Sequence, residues 1–403
     1  MRIALIGPTY PFRGGIAHYT TCLNEEFRQR HETLLISFSR QYPGLLFPGR
    51  TQEDSSSRYL STPSEPILNP FSPRSWRAVA RRLRQFSPRV VVFQWWHPYF
   101  GPGYSSIMRR LGREPHIDQL FLCHNVFPHE IPRFPGSSWL VKRLISQAFR
   151  RVDGFLVHSE GLSTQVKEFN PGTLVHRIFH PAYDFFNGLD NSGPTSARAG
   201  GTRELRLLFF GKIRAYKGLE VFLRALARLG GRVDFRATVA GEFYIDDVPF
   251  KRMVEQEGLS DRVVWKDHYI PNEEVGTLFR ETDLVVLPYL DATQSGVVPL
   301  AFGFLKPVVV SDVGGLAEVV TEGESGYLVP PGDSDALADA IERFGRDPRA
   351  ASFEANIRRT RDKLSWGQVE DGLHDLLSAL QSRRSERPFG SRAEGFEASQ
   401  DRD

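Results

Sequence analysis

Short apolar runs that stop at glycine, proline or histidine alternate along the chain with stretches whose apolar residues recur three or four positions apart. The pattern predicts a strand over Arg2 to Ile6, a Gly- and Pro-rich loop over 7–15, and a helix from Ile16 to Arg30. Further strands are predicted at Val90 to Gln94, Gln119 to Cys123, Gly154 to His158 and Leu174 to Phe179, with helices near 75–86, 104–110, 137–151 and 161–169. Residues 40–75, rich in Pro, Ser, Arg and Gly, read as a long substrate-facing loop. A small, polar stretch from Gly188 to Arg203 reads as a linker.

The alternation then resumes. Strands are predicted at Leu207 to Phe210, Phe235 to Ala240, Val263 to Lys266, Leu284 to Leu287 and Val308 to Val310. The helices between and after them fall at 219–229, 248–257, 272–281, 297–304, 316–320, 335–344, 348–363 and 367–380. Alternation of this kind implies α/β architecture, with parallel sheets covered on both faces. The expected organisation is two Rossmann-like domains, 1–187 and 204–365, a helix at 366–381 able to fold back on the first domain, and a charged, disordered tail over 382–403.

A chain of 403 residues exceeds what one core ordinarily holds, which agrees with two domains. The net charge is only +3, but basic residues cluster on two helices. Arg77, Arg81, Arg82 and Arg84 flank Trp76, Val79 and Leu83; Lys142, Arg143, Arg150 and Arg151 flank Trp139 and Leu140. Such faces either lie on an anionic membrane or are simply solvated. Cys22 and Cys123 have no redox or metal spacing, which suits a reducing cytoplasm. No apolar run reaches the ~18 residues of a span, so the expectation is a cytoplasmic protein, soluble or peripheral at the inner face of the plasma membrane. No nucleic-acid module is recognisable.

Chemistry concentrates at strand ends, where open α/β sheets bind ligands. Gly211-Lys212 closes one strand, and Lys217-Gly218 opens the next helix. Backbone N–H groups at such turns attract anions, and two lysines can grip one diphosphate from two sides. Gly14-Gly15 stands before the first long helix and would let a ligand approach the backbone. Gln294, Ser295 and Gly296 suit a phosphate or ribose; Gly241 closes a strand, and Gly314-Gly315 precedes Glu318. Asp333-Ser-Asp335 reads as a helix cap rather than a metal motif. His97, His124 and His158 each follow a strand, where imidazole can bond either a sugar hydroxyl or only its own loop. Trp96 and its neighbours read as a sugar- or lipid-contacting edge or as buried core.

Taken together, Gly211-Lys212…Lys217-Gly218, Gly241-Glu242 and Lys306-Pro-Val-Val-Val-Ser-Asp-Val-Gly314-Gly315-Leu-Ala-Glu318…Gly326-Tyr-Leu-Val-Pro resemble the GT-B retaining glycosyltransferases of family 4. The resemblance implies that Lys212 and Lys217 grip the donor diphosphate with Gly15, Ser295 and Gly296. It implies Gly241, Gln294, Gly314, Gly315 and Glu318 at the nucleotide or sugar, and His124 at the transferred sugar, with Lys217 the other catalytic group. Trp96, His97 and Asn125 are expected at the acceptor. The implied reaction needs no cofactor or metal, only a nucleotide-sugar co-substrate and a glycan or lipid-linked acceptor. One departure stands out: the family's E-x7-E glutamates fall on Ala292 and Leu300. That leaves open a differently held nucleotide, in a sub-branch with a Q-S-G turn, or a non-catalytic nucleotide-sugar or glycan-binding protein of the same shape.

Overall fold

The computed structural model describes residues 1–42, 51–112, 114, 116–128, 136–183, 185–188, 204–347 and 350–386. Most of the expected linker and tail lies outside the described residues.

Two separate parallel sheets organise the chain. The first has seven strands in the order β3-β2-β1-β4-β5-β6-β7: β1 (Arg2–Ile6), β2 (Glu32–Phe38), β3 (Glu65–Leu68), β4 (Val90–Trp95), β5 (Asp118–Cys123), β6 (Gly154–Val157) and β7 (Leu174–Arg177). The second has six, β10-β9-β8-β11-β12-β13, from β8 (Leu205–Phe210), β9 (Phe235–Ala240), β10 (Val263–Lys266), β11 (Leu284–Leu287), β12 (Val308–Ser311) and β13 (Gly326–Val329). In each sheet the winding reverses once, between β1 and β4 and between β8 and β11. Crevices form beyond the strand ends at such reversals.

The first domain's helices are α1 (Gly15–Arg28), α2 (Pro73–Phe86), α3 (Gly101–Leu111), α4 (Ser137–Phe149) and α5 (Glu160–Phe169). The second has α6 (Leu219–Leu229), α7 (Val248–Gln256), α8 (Asn272–Arg280), α9 (Val297–Gly303), α10 (Ser334–Arg346) and α11 (Ala350–Asp362). Helix α12 (Gly367–Ser385) ends the described chain. Local chemistry sets their starts. Ser72 accepts from the Ser75 amide with Pro73 in the first turn of α2, and Asp333 accepts from the Asp335 and Ala336 amides at α10. The Asp-Ser-Asp run is therefore a cap.

Side-chain alternation splits the first core. Ala4 and Ile6 face α2, α3 and α4, while Ile3 and Leu5 face α1 and α12. Val369, Leu373, Leu376, Leu377 and Leu380 of α12 complete that second face, although α12 follows the second domain in sequence.

Several expectations need correcting. Strand β2 went unread because it follows α1 after only three residues, and β3 lies inside the stretch read as a long loop. Strand β13 was read only as part of a motif, and Gly314–Val319 forms a tight 3-10 turn rather than an α-helix. Helix α12 runs on to Ser385, past the point where disorder was expected. The apolar residues between the arginines of α2 are not available to a membrane: Val79 and Leu83 are buried in the first core, and Trp76 donates to the Asn69 carbonyl. Among the described residues, no helix is long and apolar enough to cross a membrane.

Replacing Leu373 by alanine should remove a fully buried contact between α12 and the first sheet. The expected loss is about 2–5 kcal/mol, read as an earlier urea midpoint for the first domain. An unchanged midpoint would mean that α12 is dispensable to that core.

Candidate functional site

Beyond β8 the chain turns at Gly211, with φ 100°, and continues through Lys212, Ile213 and Arg214 into a 3-10 turn, Ala215–Lys217. Gly218, at φ 69°, then begins α6. A methyl group at Gly218 would come within 1.9 Å of the Pro288 carbonyl oxygen, so the turn presses directly on the segment leaving β11. This crowding fixes Lys217. Its ammonium donates to the Phe210 carbonyl at 3.4 Å and lies 5.2 Å from the Tyr289 ring centre. Gly241 is equally confined, since a methyl there would meet the Gly211 carbonyl at 2.1 Å.

The first domain faces this corner with Gly14 and Gly15. A methyl on Gly14 would lie 3.5 Å from the Lys212 ammonium, and one on Gly15 would meet nothing within 4 Å. Arg13, just before them, is buried and forms an ion pair with Glu242 of the second domain. It also donates to the Tyr244 hydroxyl at 3.2 Å and stacks 4.9 Å from the Tyr269 ring. Asp54 reaches across as well, accepting from Tyr269 at 3.2 Å and Asn272 at 3.1 Å. Between the domains lies a cleft of about 740 Å³, a size that accommodates a small-molecule ligand.

Its electrostatics are one-sided. Arg13, Lys212, Arg214 and Lys217 line it, and Glu242 is the single carboxylate among the described lining residues. Burial, together with Arg13 and Arg214, lowers the Lys212 ammonium to about 8. Burial likewise lowers Lys217, with Arg214 adding to it. Burial holds His97, on the opposite wall, at about 4, so its ring is neutral at pH 7.

Of the residues singled out in the sequence, Gly15, Trp96, His97, Asn125, Lys212, Lys217, Gly241, Gln294, Ser295 and Gly296 all line the cleft. Gln294 Oε1 is buried and has no hydrogen-bond partner among the described residues. Ser295 accepts from the Val297 amide. Asn125 accepts from Thr293, joining the domains.

Others stand elsewhere. His124 is 2% exposed, bonds Gln94 Oε1 at 2.7 Å, and sits in a buried group with Tyr19 and His158, pushed well below its usual pKa by burial. Its ring is not among those lining the cleft, whereas the next residue, Asn125, is. Gly314 and Gly315 fit beneath residues 292–293, where a methyl on Gly314 would meet the Ala292 carbonyl at 1.8 Å. Glu318 caps α5, accepting from the Glu160 amide at 3.0 Å and pairing with Arg177 at 3.1 Å. None of these three is among the residues lining the cleft.

Glu242, quoted in the sequence only as part of a motif, lines the cleft, as do Arg13, Arg214, Tyr183, Tyr244, Tyr269 and Tyr289, which the sequence reading gave no role. Arg13 and Arg214 adjoin motifs that were read, so charge beside glycine was a usable signal. Nothing local marks the tyrosines, which converge only through the fold.

A model described as "Glycosyltransferase Family 4" matches residues 13–181, and one described as "Glycosyl transferases group 1" matches 204–347. The chain is 30% identical over 264 residues to the alpha-D-kanosaminyltransferase of Streptomyces kanamyceticus, covering 61% of this chain and 65% of that protein. It is 29% identical to the lipopolysaccharide core biosynthesis mannosyltransferase LpcC of Rhizobium leguminosarum bv. viciae, covering 74% and 81% respectively. In fold it is similar to Anabaena Alr3699/HepE in complex with UDP, with a TM-score of 0.67 and 16% identity over 94% of this chain and 100% of that one. With both halves matched and the two-sheet frame shared, the chain is a GT-B protein made of a Glycosyltransferase Family 4 domain followed by a Glycosyl transferases group 1 domain.

Proposed function

We propose that this protein transfers a sugar from a nucleotide diphosphate sugar to a hydroxyl of a glycan or lipid-linked acceptor, with retention and without a metal ion. The observation that carries the proposal is the convergence of Lys212, Lys217, Arg214 and Arg13 on one corner of the cleft, opposite the open backbone of Gly14 and Gly15.

Breaking the bond between sugar and diphosphate builds negative charge on the leaving oxygen. Cations already fixed there stabilise that charge more than they stabilise the ground state, because they need not reorganise as it develops. Lys217, held by Phe210 and Tyr289, meets this requirement. The one carboxylate among the described lining residues, Glu242, is engaged by Arg13 and is therefore poorly suited to be a nucleophile. Attack by the acceptor hydroxyl on the face the diphosphate leaves, with its proton passing to that leaving group, then accounts for retention. Neutral His97, with Trp96 and Asn125, provides polar and stacking groups for the acceptor.

The nucleotide is held differently from the family pattern. Leu300 and Val275 line the wall where a ribose-binding carboxylate was expected, and Gln294 supplies an unpaired carbonyl oxygen nearby in sequence. A non-catalytic binding protein is the second reading, favoured by that apolar Leu300.

Action in cell-envelope or extracellular polysaccharide synthesis is supported by the similarity to a lipopolysaccharide core mannosyltransferase. A cytoplasmic protein touching an anionic membrane through α4 is part of the same reading. There Trp139 is 63% exposed, next to exposed Leu140, with Arg143 stacked 5.2 Å from its ring.

A panel of nucleotide sugars, scored for release of nucleoside diphosphate with membrane-lipid extract as acceptor, tests the proposal. One donor should turn over, and Lys217→Ala should lower kcat by about 10²–10³-fold. Binding without turnover would establish the second reading, and neither binding nor turnover would end the first.

Donor capture should also depend on pH. Lys212 is charged below its pKa of about 8 and neutral above it. Donor kcat/KM should therefore fall by about tenfold from pH ~7 to ~9, and Lys212→Arg should flatten the descent. An identical descent in that variant would assign the titration to another group.

A further inference from the structure

We propose that His31, Glu370 and His374 form a binding site for one divalent transition-metal ion of the zinc type, away from the cleft, which clasps α12 to the first domain. Glu370 and His374 are four residues apart on α12 and so project from one face. His31 comes from the turn between α1 and β2. Their ligand atoms all lie within 4.8 Å of one another. His31 Nε2 is 3.0 Å from Glu370 Oε1, and His374 Nε2 is 3.9 Å from the same oxygen.

Two ligands of a tetrahedral zinc ion, each about 2.0–2.2 Å from it, stand about 3.3 Å apart. A small rotation of His374, whose side chain is half exposed, closes the geometry. Solvent at that exposed side can supply the fourth ligand. Two imidazoles with one carboxylate are donors that zinc accepts readily, whereas magnesium and calcium prefer oxygen alone.

The carboxylate itself is the second argument. Glu370 is only 4% exposed, a costly place for a charge, and its Oε2 has no hydrogen bond even though Arg30 lies 3.5 Å away. An ion shared with His31 and His374 neutralises that charge at close range. Binding would replace the direct contact between His31 Nε2 and Glu370 Oε1 by bonds from both to the ion, with His31 Nδ1 still facing the Met1 amino group at 3.2 Å.

The location gives the clasp a structural meaning. Helix α1 begins at the cleft glycines and spans about 21 Å, by its 14 residues, to the turn carrying His31. An ion there ties the far end of that helix to the segment returning from the second domain.

The test is titration of the full chain, free of any histidine tag, with zinc chloride against a chromophoric chelator. Wild type should bind one equivalent, His374→Ala and Glu370→Gln should bind at least about tenfold more weakly, and His374→Cys should retain binding. Zinc should raise the urea midpoint of wild type but not of His374→Ala. Less than one equivalent in wild type, or equal affinity in His374→Ala, would overturn the proposal. Donor binding in the cleft should be the same in His374→Ala as in wild type, so loss of the clasp is separable from loss of the transferase site.

Discussion

A buried ammonium group is unfavourable unless something answers its charge, and this cleft holds one, Lys217, with the half-buried ammonium of Lys212 beside it. Lys217 is 7% exposed, yet its contacts are a carbonyl oxygen and the face of a tyrosine ring, which answer the charge only in part. Lys212 stands near two arginines that oppose its protonation, and only Glu242 favours it. The corner is therefore short of negative charge in the absence of a ligand. On the proposed reading, a diphosphate bound there would relieve that imbalance, and the same imbalance would favour the extra charge that develops as the diphosphate departs.

The topology makes that corner. Each sheet reverses its winding beside its first strand, so the loops after β1 and β8 open at the two crevices, and those crevices face each other. The contacts across them are selective. Arg13 with Glu242 and Asp54 with Asn272 join the domains at the cleft, while Glu318 joins them through the amide of Glu160 and the side chain of Arg177. Polar contacts between domains are more easily exchanged than a shared apolar core. Helix α12 supplies the opposite kind of connection, because its leucines are part of the first core.

Much of this was legible beforehand. Apolar runs ending in glycine marked β1 and β8, whose central residues are buried on both faces, and β9 was marked by its apolar end and Gly241 despite exposed Arg236. The lysines and glycines of the phosphate corner were visible because they flank those runs. Strand β2 was missed where a helix passes into a strand with almost no punctuation, and α12 was cut short because its last turns, Gln381 to Ser385, are polar. A histidine after a strand can point into the cleft or into the layer behind it, so the contacts of His124 with Tyr19 and Gln94 could not be read from its position in the chain. The tyrosines of the wall come from segments far apart in the chain, so no local pattern could unite them.

The crowding of the glycines has an evolutionary side. At Gly218 and Gly241 a single methyl group would strike a carbonyl oxygen about 2 Å away, so almost any substitution displaces the backbone that holds Lys217 or abuts Gly211. Tyr244, Tyr269, Val275 and Leu300 line the cleft without any such backbone crowding being imposed by a glycine. On the proposed reading, changes of donor preference would come more readily from such side chains than from the crowded glycine turns beside Lys212 and Lys217.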